Sequence, residues 1–171
     1  MKKWNVPSAF NLEKGKVLPN SFFSSDKTLL DVQHRYKIIE VNAYVNGSGV
    51  PCLLSFGYEN EQGEHVPGRD MIELIPNSLD LKTFQLKDKD YIWQISGVFK
   101  NGLLNSITFK SKLGREATFE DENSNNSGDS FNFVSKQNEI PSCFFGATLQ
   151  TIPMTDEVKI CYIGFEFMSD W

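Results

Sequence analysis

Alanine occurs only four times in 171 residues, at positions 9, 43, 117 and 147, against fourteen phenylalanines. The best helix former is nearly missing and a residue suited to pleated, half-buried surfaces is abundant, so strands are expected. Histidine occurs twice, as His34 and His65 in separate segments, and each reads as a surface or turn residue. Cysteine occurs three times, as Cys52, Cys143 and Cys161, an odd number at wide spacing with no CxxC. That pattern fits reduced, buried thiols of an intracellular protein better than a disulfide framework or a metal site.

Basic residues are also in deficit: 17 Lys and Arg face 22 Asp and Glu, a net charge of −5. Nucleic acid and anionic membrane are disfavoured as partners, because both need clustered positive charge. Met1-Lys2-Lys3 runs into Trp4-Asn5-Val6-Pro7-Ser8 rather than an apolar stretch, and no run reaches membrane-spanning length. Neither a signal peptide nor a transmembrane segment is expected, which points to the cytoplasm.

Catalytic patterns are missing too. No Ser, Cys or Asp stands in a nucleophile motif, and no phosphate-binding glycine loop follows a strand. The acidic run Glu120 to Asp129 has its glycine two places late for an EF-hand loop, and reads as a solvated hairpin loop. No enzyme activity, metal or cofactor is expected.

The length suffices for one domain burying roughly 70% of its unfolded surface. Residues 1–21 have no clear period and read as an N-terminal arm outside the fold, with Trp4 and Phe10 as candidate partner-docking anchors, joined by Trp171. From residue 22 onward the pattern alternates by two. Ile39, Val41, Ala43 and Val45 share a face, as do Leu54, Phe56 and Tyr58; then Tyr91, Trp93 and Ile95; then Ile163, Phe165 and Phe167. Turn signals such as Asn46-Gly47-Ser48-Gly49 and Asn60-Glu61-Gln62-Gly63 separate the runs. No helical stripe is present; Asp70 to Leu74 and Asn77 to Leu81 have room for one turn each.

The chain also repeats itself. Leu54-Ser55-Phe56, Ile107-Thr108-Phe109 and Ile163-Gly164-Phe165 share an apolar-x-Phe core, with starts 53 and 56 residues apart (107 − 54 and 163 − 107). The first two are followed by a turn glycine, Gly63 and Gly114. Three similar antiparallel units, none able to bury its apolar face alone, predict three sheets about a pseudo-threefold axis.

Tyr91-Ile92-Trp93-Gln94-Ile95-Ser96-Gly97 with Ile107 to Gly114 resembles the central strands of jacalin-type, mannose-binding lectin domains. Phe144-Phe145-Gly146 and Ile160-Cys161-Tyr162-Ile163-Gly164 resemble that family's closing segment, and the likeness spans residues 22 to 169. It implies an all-β fold, a β-prism of three antiparallel four-stranded sheets over residues 22–171. It also implies a sugar site, made by a glycine-rich N-terminal segment and an Asp-bearing loop before the last strand. Glycines let backbone approach a sugar ring, and a carboxylate accepts two hydroxyls.

Here the corresponding segment, Ser21 to Lys27, has no glycine, and Cys161 stands at the position of the family's Asp. Between Gly146 and Ile160 the sequence predicts a long loop. Gly146, Thr155, Asp156 and Glu157 are its candidate carbohydrate-binding residues, with Asp156 or Glu157 as the substitute acid. Two readings follow: a non-catalytic, intracellular prism working through protein partners in a larger assembly, cytoskeletal or organellar, or a lectin rebuilt around Asp156 whose partner is a glycan.

Overall fold

A computed structural model describes residues 2–5, 21–26, 29–30, 33–69, 78–87, 89–123, 125, 127–136, 139–152 and 157–169; for 2–5, 21–25, 145–152, 157 and 169 this extends to the backbone alone. Twelve strands form among them: β1 (Lys2–Asn5), β2 (Ser21–Ser25), β3 (Tyr36–Val45), β4 (Pro51–Asn60), β5 (His65–Pro67) and β6 (Asp80–Gln85), followed by β7 (Ile92–Lys100), β8 (Leu103–Ser111), β9 (Glu116–Glu120), β10 (Asp129–Val134), β11 (Glu139–Ile152) and β12 (Glu157–Ser169). They pair into three antiparallel four-stranded sheets, ordered β1-β12-β11-β2, β5-β4-β3-β6 and β10-β7-β8-β9. No described residue is helical.

The three apolar-x-Phe repeats supply one inner strand to each sheet: β4, β8 and β12. Their phenylalanines meet in the common core. The Phe56 ring lies 5.8 Å from Phe109 and 5.7 Å from Phe165, both edge-on, and 4.6 Å from Phe144. All four are at most 2% exposed. The repeat is therefore a packing device: three sheets bury their apolar faces on one another because each brings the same aromatic to the axis.

Local geometry refines the faces read from alternation. In β3 a register shift between Ile38 and Glu40 turns the strand, so Tyr36 and Ile38 face inward before it and Val41, Ala43 and Val45 after it. A second shift between Ile92 and Gln94 in β7 corrects the expected Tyr91–Trp93–Ile95 face. Ile92 and Ile95 are fully buried, while Trp93 is half-buried, edge-on to Tyr91 at 6.4 Å and with the Lys112 ammonium 3.4 Å over its ring. Bulges of this kind add one residue to one strand and flip everything beyond it.

Two further expectations are corrected. The arm does not lie wholly outside the fold, since residues 2–5 are β1, an edge strand antiparallel to β12 with Lys2 opposite Phe167 and Asn5 opposite Gly164. Leu81 lies in strand β6 and not in a helical turn, opposite Tyr44 and 53% exposed. The Asp70–Leu74 stretch is outside the described residues. All three cysteines are buried thiols, none joined in a disulfide.

Candidate functional site

The long loop expected between Gly146 and Ile160 is mostly strand. β11 continues to Ile152 and β12 begins at Glu157, opposite it, so Thr148, Gln150, Thr151 and Lys159 belong to a paired hairpin. The connection narrows to residues 153–156. A run of strand-compatible residues on both sides, with Thr, Val and Ile at 151, 152, 158 and 160, lets the ladder extend. Val158 and Ile160 are 5% and 0% exposed and belong to the main core, which anchors the extension.

Among the proposed sugar ligands, Gly146 lies in β11, within the register shift between Phe145 and Thr148. Glu157 starts β12. Thr155 and Asp156 fall outside the described residues, as do Phe10 and Trp171 among the proposed docking residues; Trp4 lies in β1 opposite Phe165.

β2 lies on the other side of β11, with Ser21 opposite Gln150 and Phe22, Phe23 and Ser24 opposite Leu149, Thr148 and Ala147. Residues 21–25 of this glycine-free segment thus pair along one edge with β11, and β2 ends the sheet. Glu157 and Ser21 flank β11 on opposite sides, two strand spacings apart, on the order of 10 Å. Cys161, which the sequence resemblance sets against the family's acid, lies between the pairs Thr148–Tyr162 and Leu149–Ile160, where the register shifts. It is 4% exposed, and burial pushes its thiol up to about 11. A neutral, buried thiol is a poor acceptor for hydroxyls.

β2 ends at a buried polar junction that the sequence does not announce. Asp26 is 1% exposed; its Oδ2 accepts from the Tyr58 hydroxyl at 2.5 Å and its Oδ1 from the Arg69 backbone N–H at 2.7 Å. The Tyr58 oxygen in turn accepts from Phe144 N–H at 3.0 Å, and Asp26 N–H donates to the Phe144 carbonyl at 2.9 Å. One carboxylate therefore joins the β11–β2 sheet to β4 and to the chain leaving β5. Burial raises the Asp26 carboxyl above its ordinary value, against the lowering effect of its hydrogen bonds. Burial also holds the Tyr58 phenol well above its usual range, with the Asp26 charge adding to the effect, so the hydroxyl stays a donor. Gly68 sits against this junction, where a Cβ would stand 2.5 Å from the Phe56 carbonyl and 2.8 Å from Asp26 Oδ2.

A family model for the jacalin-like lectin domain matches residues 24–153, and the chain belongs to that family. No curated protein matches the sequence directly. A mannose-specific jacalin-related lectin from Morus nigra, solved with mannose, aligns over 99% of this chain and 93% of its own at 15% identity, with a TM-score of 0.62. A mannose-binding jacalin-related lectin from Ananas comosus aligns over 88% and 97% at 16% identity (TM-score 0.57), and a prostate-specific glycoprotein lectin over 92% and 99% at 17% (TM-score 0.58). At such identities the likeness carries the β-prism fold.

Proposed function

We propose that this jacalin-like domain is a non-catalytic, intracellular module that works through protein contacts as a component of a larger assembly, cytoskeletal or organellar, and that its inherited sugar site is no longer used. The observation that carries this reading is Cys161. The residue that the resemblance sets at the family's acid position is a buried, neutral thiol inside a paired hairpin, and the glycine-free N-terminal segment is held as a strand along β11. The charge balance and the thiols without disulfides support a cytoplasmic setting. Trp4, Phe10 and Trp171 are the docking anchors of this reading.

The competing reading is a lectin that binds glycans through Asp156, the ligand class for which the structural neighbours are named. A glycan array probed with the purified chain beside Asp156→Ala separates the two. We expect neither protein to bind any glycan above background. Saturable binding by the wild type that is lost in the variant would make the domain a working lectin and overturn the proposal.

A further inference from the structure

The sheet ordered β10-β7-β8-β9 has ends of opposite charge. β7 and β9 run from one end to the other, and β8 and β10 run back. The segment leading into β7 and the β8–β9 turn therefore share the first end. The β7–β8 turn and the β9–β10 connection share the second.

At the first end two turns abut. Asp90 N–H donates to the Lys87 carbonyl and Gly114 N–H to the Ser111 carbonyl, both at 3.1 Å, which closes each turn. Three bonds then lock them together. Asp90 Oδ1 accepts from Leu113 N–H at 3.0 Å, the Tyr91 carbonyl from Lys112 N–H at 2.9 Å, and the Gln85 carbonyl from the Arg115 guanidinium at 3.1 Å. Asp90 is 3% exposed, so its carboxylate works inside the pair of turns. Lys87, Lys89, Lys112 and Arg115 are exposed on the platform so formed. Lys112 rests over the Trp93 ring and Arg115 over Phe84, contacts that leave both charges in place. Lys110 faces Glu116 at 3.7 Å. With every acid counted, residues 87–90 and 110–116 carry +2 (5 − 3). Across the pocket beside Lys89, Glu61 is held by Arg35 and Glu59 lies opposite Lys37 in the β3–β4 ladder.

The second end is acidic. Glu120 ends β9, Asp121 and Glu122 follow, and Asp129 opens β10 beside the end of β7 at Lys100. Residues 100–102 and 120–129 carry −3 (1 − 4). Glu120, Glu122 and Asp129 are exposed. The neighbouring β3–β4 turn, whose Ser48 carbonyl accepts from Glu122 N–H at 3.0 Å, has no charge of either sign over residues 46–50.

The complement of the basic platform is thus carried by the same chain, facing the opposite way along the strands. We propose that the platform binds a second copy of this chain, which seats its acidic β9–β10 connection on Lys87, Lys89, Lys112 and Arg115. Each copy keeps its other end open, so the contact is heterologous and builds a row rather than a closed dimer. Chains of net charge −5 repel at long range, and salt decides which effect wins. The nine residues of β7 set the two centres roughly 30 Å apart, and the Debye length at about 0.1 M salt is about 10 Å. Repulsion between centres is then screened, while touching ends still attract. The contact is independent of the fate of the sugar site.

Sedimentation equilibrium of the full chain tests it. At about 0.1 M salt the average mass should rise above 19.5 kDa with concentration, giving a Kd of about 1 mM or tighter, and at about 1 M salt it should return to the monomer. Lys87→Glu with Lys89→Glu turns the platform to −2 (2 − 4), and Glu120→Lys with Glu122→Lys turns the tip to +1 (−3 + 4). Each pair alone should weaken association about tenfold or more. The tip variant lowers the net charge to −1 (−5 + 4), so an effect of overall repulsion would strengthen association instead. An equimolar mixture of the two variants should associate again, because every end then meets its opposite. A wild type that stays monomeric, association undiminished by both variants or by about 1 M salt, or a mixture that fails to recover would overturn the assignment. So would a monomeric wild type whose Lys112 and Leu113 amides shift with an acetylated hexaglutamate peptide, which would give the platform to a foreign acidic segment.

Discussion

Phe56→Ala is expected to lower the unfolding free energy by about 3–5 kcal/mol, the range for removing a buried aromatic from a packed core. The expectation sits at the top of what a single substitution does, because Phe56 is the ring the other sheets share. It touches Phe109 of one sheet and both Phe144 and Phe165 of another, and it is 2% exposed. Its loss opens a cavity where three sheets meet, and no one of them can shift to fill it without leaving the other two. Urea denaturation followed by tryptophan fluorescence measures this through the transition midpoint at unchanged slope. Leu113→Ala, at a turn side chain 69% exposed, is the control and should stay within about 0.5 kcal/mol of wild type. A Phe56→Ala loss as small as the control's would mean that the repeated phenylalanine does not hold the sheets together.

Asp26→Ala comes next in size. It leaves the buried Tyr58 hydroxyl and the part-buried Arg69 N–H without their acceptor. At about 1–3 kcal/mol for the buried hydroxyl and about 1 kcal/mol for the part-buried N–H, the loss is about 2–4 kcal/mol. Asp26→Asn keeps an oxygen for Arg69 but offers Tyr58 a donor where it needs an acceptor, so it should lose less than Ala. The pH dependence separates charge from shape. The folded carboxyl has its pKa raised above the unfolded value of 3.8, so the folded state holds the proton more tightly. That contribution is complete below pH about 3.8 and is lost as pH rises through the folded pKa. The wild-type stability minus that of Asp26→Asn should therefore fall as pH rises above about 4 and level off once the carboxyl has ionised. A difference that instead grows with pH would mean that the hydrogen bonds outweigh burial and the pKa is lowered.

The sequence carried the strands, the three repeats and the threefold core, since all rest on period-two alternation and on one residue type recurring at one place. Leu54, Phe56 and Tyr58 face inward together, as do Ile163, Phe165 and Phe167. The misread faces around Ile39 and Trp93 trace to one inserted residue each, which alternation cannot locate because both phases of the pattern are apolar there. Lys2–Asn5 has no alternation to read, and it becomes a strand because β12 offers it an open edge. The Asp26 junction draws residues 26, 58, 69 and 144 to one point, and the pocket between Lys37, Glu59 to Gly63 and Lys89-Asp90 draws on three separate segments. Neither leaves a local pattern. Around the expected sugar site, alternation did not show that β11 and β12 run on to Ile152 and from Glu157, so that Cys161 lies inside a paired hairpin.

The sheet ordered β1-β12-β11-β2 joins the first two described strands to the last two, and this sets an order of events during synthesis. The strands of the other two sheets all lie between residues 36 and 134, so both can pair while the ribosome is still adding β11 and β12. β1 and β2 must wait longest of the twelve described strands, because their partners β11 and β12 follow all the others in chain order. Pairings of such separation are slow to form, and an unpaired edge exposed in the meantime invites foreign strands. Within this fold the nascent chain is thus most vulnerable along β1 and β2, until β11 and β12 arrive to clasp them.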